Sequence, residues 1–257
     1  MEKIFDMYAK YYDLLYRDKN YTKEAEYVQK FINRFNPGAR NILDLGCGTG
    51  KHDFIFAEKG FDVTGVELSE TMIGTAKQNL ELKNELCKTL RFYQGDVRNI
   101  KLGEKFDVII SLFHVMSYQI TNEDLLSTIK TVKEHLKDDG IFLFDFWYGP
   151  AVLSERPEAR VKKLEDEEII VERFAEPSLR INENIVDVNY KVCIKEKING
   201  ILNEIRETHS MRYLFIPELN FFLNDEGMEI IAYEEWMTGK VPDDKCWSAF
   251  AAARNKN

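Results

Sequence analysis

The chain is poor in the features that mark several broad protein classes. Its four cysteines, Cys47, Cys87, Cys193 and Cys246, lie far apart with no CxxC pair. That spacing suggests neither a structural zinc site nor a disulfide framework, and a reducing compartment fits best. Positive charge is also short: 35 Lys and Arg against 44 Asp and Glu leave a net charge of −9. A surface whose main task is to hold nucleic acid would need the opposite balance, because that affinity comes largely from neutralising phosphates. No stretch approaches 18 uninterrupted apolar residues, and the opening "MEKIFDMYAKYYDLLY" scatters acids where a signal peptide would have an apolar run. The expectation is a cytoplasmic protein that engages neither nucleic acid nor membrane. Internal repeats and low-complexity segments are absent as well.

What is present is enough apolar material, 44% of 257 residues, for one full core plus an appended piece. Between Glu24 and Phe35 the residues Ala25, Val28, Phe31, Ile32 and Phe35 recur at helical spacing, and Pro37-Gly38 stops the pattern. A strand from Asn41 to Leu45 follows, then a helix from His52 to Glu58 closed by Gly60, and a buried strand "FDVTGVEL" at 61–68. Ser69 is placed to cap a helix running to about Leu80. A third strand, "RFYQGD", ends at Asp96, and a fourth, "FDVIISLF", covers 106–113. Thr121 and Asp124 have capping-box spacing ahead of a helix that Gly140 is expected to end, and "IFLFDF" is the fifth strand.

Strands that are apolar along their whole length, alternating with amphipathic helices, imply a parallel sheet covered on both faces. From about 155 to 215 the texture changes to period-2 patterns such as "ENIVDVNYKVCI", with "ING" as a turn, which means antiparallel strands. A helix at 217–224, a stop at Gly227 and two last strands return to the first sheet. The expected fold class is therefore α/β, a doubly wound seven-stranded mostly parallel sheet with an inserted antiparallel β subdomain. Residues 1–150 and 217–257 form the core in this reading and 151–216 the insertion, near the strand ends where such folds bind ligands.

The stretch "ILDLGCGTGKH" at 42–52 puts Gly46, Gly48 and Gly50 at alternate positions directly after a strand. Glycines there let backbone approach a ligand closely, and the first N–H groups of the next helix are unpaired donors. A dinucleotide oxidoreductase would have its third glycine three residues after the second; here the interval is two, and Asp44 stands at the strand end. The spacing favours another cofactor.

"LDLGCGTG" at 43–50 resembles the first motif of the S-adenosylmethionine-dependent methyltransferases with the Rossmann-like seven-strand fold. The resemblance runs from about Tyr12 to Phe146 and over the last two strands. It implies S-adenosyl-L-methionine as cofactor, S-adenosyl-L-homocysteine as product and no metal. It places Asp44, Gly46, Cys47 and Gly48 in the binding loop. Glu67 would take the ribose hydroxyls, a carboxylate having two oxygens to match a cis-diol. Asp96 would take the adenine amino group with the Val97 N–H beside it, and Met72 would pack on the adenine face, flanked by Leu68 and Phe113. Tyr12 or Tyr21 would lie near the methionine end.

The stretches "YYDLLYRDKNY" (11–21), "FHVMSYQ" (113–119) and "FDFWYGP" (144–150) resemble the N,N-dimethyltransferases of nucleotide-linked amino sugars of the desosamine and mycaminose type. That resemblance implies a nucleotide-linked sugar as the small-molecule substrate, an insertion that covers it, and a homodimer. It places Tyr16 and Tyr118 beside the acceptor nitrogen, with His114 as an alternative base, because an amine must lose a proton before or during attack. Trp147 and Tyr148 would form a wall for sugar or base. Arg173 and Arg212 would pair with a pyrophosphate, guanidinium being suited to bidentate contacts, and His209 would lie nearby. Taken singly, either arginine is more at home in a surface salt bridge, given 44 acids in the chain. Methyl transfer to a non-sugar O or N acceptor, or binding of the cofactor without transfer, stays open at this point.

Overall fold

The computed structural model describes residues 14–17, 19–83 and 88–256. The first helix, α1 (Tyr21–Phe35), starts three residues before the apolar repeat because the Asn20 side chain accepts the Lys23 N–H at 3.0 Å and caps it. Then come β1 (Asn41–Leu45), α2 (Lys51–Glu58), β2 (Asp62–Glu67), α3 (Glu70–Leu82), β3 (Leu90–Gln94) and β4 (Phe106–Ser111). A 3-10 turn (Val115–Tyr118) leads to α4 (Asn122–His135) and β5 (Leu136–Trp147). The short α5 (Gly149–Ser154) opens an excursion through β6 (Arg160–Glu165), β7 (Ile169–Arg180), β8 (Ile185–Glu196) and β9 (Leu202–Arg212). The chain ends with α6 (Ile216–Asp225), β10 (Met228–Glu235) and β11 (Ser248–Asn255).

The main sheet has seven strands in the order β10-β11-β5-β4-β1-β2-β3, with β11 antiparallel between its neighbours. The order reverses at β1, which has β2 on one side and β4 on the other, so a crevice opens beyond the carboxyl ends of β1 and β4. Strand parity divides the core. Ile42, Val108, Ile110, Ile141 and Leu143 face α1 and α2, while Leu43, Leu45, Ile109, Phe142 and Phe144 face α4 and α6. Asp44 and Asp145 share the parity of the first group and point to the same face.

Three further boundaries differ from expectation. Gly140 does not end α4: the helix stops at His135, where Leu136 turns extended to bury its side chain completely. Gly140 lies inside β5, where a Cβ would stand 2.8 Å from Leu136. Likewise β3 and β4 stop at Gln94 and Ser111, so Asp96 and Phe113 belong to the loops beyond.

The four remaining strands form an antiparallel sheet in the order β6-β7-β8-β9. Its inner face carries Val171, Val192 and Ile194 against Leu14 and Leu15, and Val186 and Val188 against Tyr213 and Trp147. Its outer face carries pairs such as Lys191–Glu204 (3.1 Å) and Lys163–Glu172 (2.5 Å). Among the described residues no helix is long and apolar enough to cross a membrane.

Candidate active site

The three glycines after β1 have separate tasks. All have positive φ, at 92°, 58° and 77°. A Cβ on Gly46 would lie 2.5 Å from Val115, and one on Gly50 would lie 2.5 Å from Phe92. Those two seat the loop against its neighbours. Gly48 meets only the Met72 sulfur, at 4.0 Å, and so leaves open space. The Gly46 and Cys47 N–H groups donate to the Val66 carbonyl at 2.8 and 3.0 Å, tying the loop to β2. At the end of β2 the Glu67 carboxylate accepts the Gly48 N–H at Oε2 (3.0 Å) and the Ser69 N–H at Oε1 (2.8 Å). Each oxygen keeps a lone pair for a second donor. Ser69 caps α3 by accepting the Met72 N–H at 3.3 Å, which sets Met72 beside the open space over Gly48, and Leu68 is exposed at the rim.

Beneath the loop lie two fully buried carboxyls, Asp44 on β1 and Asp53 on α2. They face each other, and neither finds another donor for its remaining oxygens. Burial pushes both up, Asp53 to about 7, and at Asp44 the neighbouring Asp53 adds to the rise. Burial and these acids also push the Cys47 thiol up.

On the β3 side, Asp96 sits in a turn whose Asn99 and Ile100 N–H groups donate to its carbonyl, with Val97 buried behind. Its carboxylate is gripped by the Arg98 guanidinium, Nε to Oδ1 at 2.9 Å and Nη2 to Oδ2 at 2.6 Å, which holds it below the usual range. The Gly95 N–H donates to the Glu67 carbonyl at 3.0 Å and links the two acid-bearing loops.

The opposite wall is built after β4. Phe113 and His114 are both left-handed (φ 67° and 64°), a strained pair for non-glycine residues. Asp145 holds the turn: its Oδ1 accepts the His114 N–H at 2.9 Å, and its Oδ2 lies 2.8 Å from His114 Nδ1. Burial pushes Asp145 up, yet the His114 contacts and Lys19 outweigh it and hold the carboxyl low. Lys19 lies 3.5 Å over the Phe113 ring, and Tyr16 meets that ring edge-on at 5.0 Å. Lys19 and His52 both reach Glu24 Oε2, at 3.1 and 2.8 Å, and Tyr21 packs edge-on to His52. Tyr12 lies outside the described residues.

Tyr118 ends the 3-10 turn with its hydroxyl 2.7 Å from His209 Nδ1 on β9. Trp147 packs edge-on against Trp247 at 5.6 Å and near His114 at 6.2 Å. The half-buried Tyr148 phenol is pushed up by burial. Arg173 lies 4.8 Å over the Tyr190 ring. Arg212 is buried, and its Nη2 donates to Glu218 and to Asn122 (2.7 Å), so that guanidinium joins β9 to the starts of α4 and α6.

Residues 42–140, from the glycine loop through the wall after β4, match the model of a methyltransferase domain. Over 150 residues the chain is 33% identical to a Streptomyces venezuelae dTDP-3-amino-3,4,6-trideoxy-alpha-D-glucopyranose N,N-dimethyltransferase, covering 58% of this chain and 60% of that one. The aligned region thus spans about three fifths of that relative's length. Among solved structures, the fold is similar to an S-adenosylmethionine-dependent methyltransferase from Clostridium acetobutylicum, with a TM-score of 0.83 at 21% identity over 99% of this chain and 100% of that one. It is also similar to Streptomyces venezuelae DesVI, with a TM-score of 0.79 at 25% identity over 96% and 98% of the two chains. At that coverage the likeness of fold takes in the four-stranded sheet as well as residues 42–140.

Several residues of this site escaped sequence reading. Asp145 is a lone acid in the apolar strand "IFLFDF", and Asp53 a lone acid on the buried side of α2; an acid at a core position was the available signal. Lys19 and Glu24 carried none, because charged residues on surface-like patterns are usually solvated.

Proposed function

We propose that this protein transfers a methyl group from S-adenosylmethionine to the amino group of a nucleotide-linked amino sugar. The observation that carries the cofactor half is the Glu67 carboxylate, pinned by the Gly48 and Ser69 amides beside open space over Gly48. The donor set fits the ligand. Glu67 is free to accept a cis-diol, Asp96 and Val97 face the adenine, and Met72, Leu68 and Phe113 supply apolar cover. Asp44 lies beneath the loop, and Tyr21 closes the methionine end. When bound, the cofactor supplies an electrophilic methyl group, and the chain's own work is to orient the acceptor and exclude water. Holding donor and acceptor in contact accounts for much of the acceleration in such reactions, with no metal or covalent step needed.

The sugar reading is supported by the Streptomyces venezuelae relative, named for a dTDP-linked amino sugar, and by the DesVI-like course of the whole chain. Tyr16, His114 and Tyr118 border the amine, Trp147 and Tyr148 form the flat wall, and Arg173 and His209 on the inner face of the antiparallel sheet cover the nucleotide-sugar. Arg212 serves the cover indirectly by holding β9 in place. Calorimetric titration of S-adenosylhomocysteine should show at least tenfold weaker binding to Glu67→Ala; equal affinity removes the ribose assignment. Incubation with a panel of nucleotide-linked amino sugars should give products heavier by one or two methyl groups in the mass spectrum. Methylation of a free phenol or acid alone would redirect the acceptor assignment.

A further inference from the structure

His209 has a polar neighbour at each ring nitrogen. The Tyr118 hydroxyl lies 2.7 Å from Nδ1, and Glu207 Oε1 lies 3.5 Å from Nε2. Glu207 and His209 sit two apart on β9 and so share the inner face of the sheet. Tyr190, opposite Glu207 on β8, meets the imidazole edge-on at 5.2 Å, and Arg173 on β7 stands behind that ring. The charged and titratable groups facing His209 are thus Tyr118 from the turn after β4, Tyr190 from β8, Glu207 from its own strand, and Arg173 screened by Tyr190. A carboxylate at Nε2 favours the tautomer that carries its proton there, leaving the Nδ1 lone pair to accept from the phenol.

We propose that Tyr118, His209 and Glu207 form a proton relay that removes the ammonium proton of the acceptor before methyl transfer. The proposal rests on the amine-methyltransferase reading. At neutral pH an alkyl amine is largely an ammonium ion and has no lone pair to attack with. As its N–H bond breaks, the electron pair stays on nitrogen and the proton passes to the Tyr118 oxygen. The phenol proton passes to His209 Nδ1, and the imidazolium that forms faces Glu207. Ammonium and imidazole become amine and imidazolium, so atoms and charge balance. His209 reaches the amine nitrogen only through Tyr118 and is, toward that nitrogen, a positioning and proton-holding residue.

The test has two readouts. Long-range nitrogen–proton NMR spectra of the labelled protein, with His209→Gln used to assign the signal among the four histidines, should show His209 with its proton on Nε2. A proton on Nδ1 overturns the relay. In single-turnover assays on an aminated nucleotide-sugar, wild type should reach its plateau rate at a lower pH than the variants. His209→Gln, which still accepts a hydrogen bond, should be about 100-fold slower at pH 7 and gain roughly tenfold per pH unit until the amine itself titrates. Tyr118→Phe, at an exposed position, should reproduce that profile if the glutamine variant folds poorly. Variants that transfer methyl with the wild-type pH profile overturn the relay alone. A wild type that binds S-adenosylhomocysteine but methylates no amine overturns the amine reading and the relay together.

Discussion

At the scale of single residues, Gly46 and Gly48 differ by what surrounds them. Alanine at 46 would drive a Cβ into Val115 at a φ of 92°, so Gly46→Ala should lower the melting temperature sharply. Alanine at 48 meets no atom closer than the Met72 sulfur and bears only the left-handed backbone penalty, about 1–2 kcal/mol. Gly48→Ala should fold and yet bind S-adenosylhomocysteine at least tenfold more weakly, because its methyl occupies ligand space; calorimetry on both variants separates the two effects. The Asp44–Asp53 pair makes a pH prediction. Asp53 titrates near 7 when folded and near 3.8 when unfolded, so the folded state keeps a proton the unfolded chain has lost. Stability from this group is complete below pH 3.8, falls by up to about 1.4 kcal/mol per pH unit across the window, and levels off above 7. Asp53→Asn should flatten that decline in urea unfolding between pH 4.5 and 7.

At the scale of elements, Ser69 matters twice, since it caps α3 through the Met72 N–H and positions Glu67 through its own. Ser69→Ala keeps the backbone donor and loses the cap, so denaturant unfolding should register about 1 kcal/mol of lost stability with cofactor affinity little changed. Elements are also where sequence reading did best. Period-2 and period-3.6 patterns report which face of a segment is buried, and that placed all seven strands of the main sheet, the last two included, and the antiparallel excursion. The misplaced ends have local causes. Gly140 reads as a helix stop but is required in β5 to clear Leu136, and Phe113 and His114 look like more strand because left-handed backbone held by Asp145 leaves no trace in hydrophobicity. The Gly-rich loop, Glu67 and Met72 were legible because a local motif carries them. The Tyr118–His209–Glu207 chain was not, because it joins residues 91 positions apart through the docking of one sheet on another.

At the scale of the whole molecule, the antiparallel sheet and the main sheet are joined through Arg212, which reaches Glu218 and Asn122 from the end of β9. Removing one partner of a buried ion pair leaves the other uncompensated, so Arg212→Met should cost about 2–4 kcal/mol in chemical denaturation. Its larger effect should be a raised KM for the acceptor, with S-adenosylhomocysteine affinity nearly intact. The excursion from α5 to β9 also leaves and rejoins the core at one point. Tyr148 bridges to Leu214, Gly149 donates to the Leu214 carbonyl at 2.9 Å, and Leu214 donates to the Trp147 carbonyl at 2.8 Å. Under the proposed function, such a closed neck would make the acceptor-covering half exchangeable: a lineage could splice a different cassette between those paired positions and inherit new substrates, while the methyl-donor side stayed threaded as before.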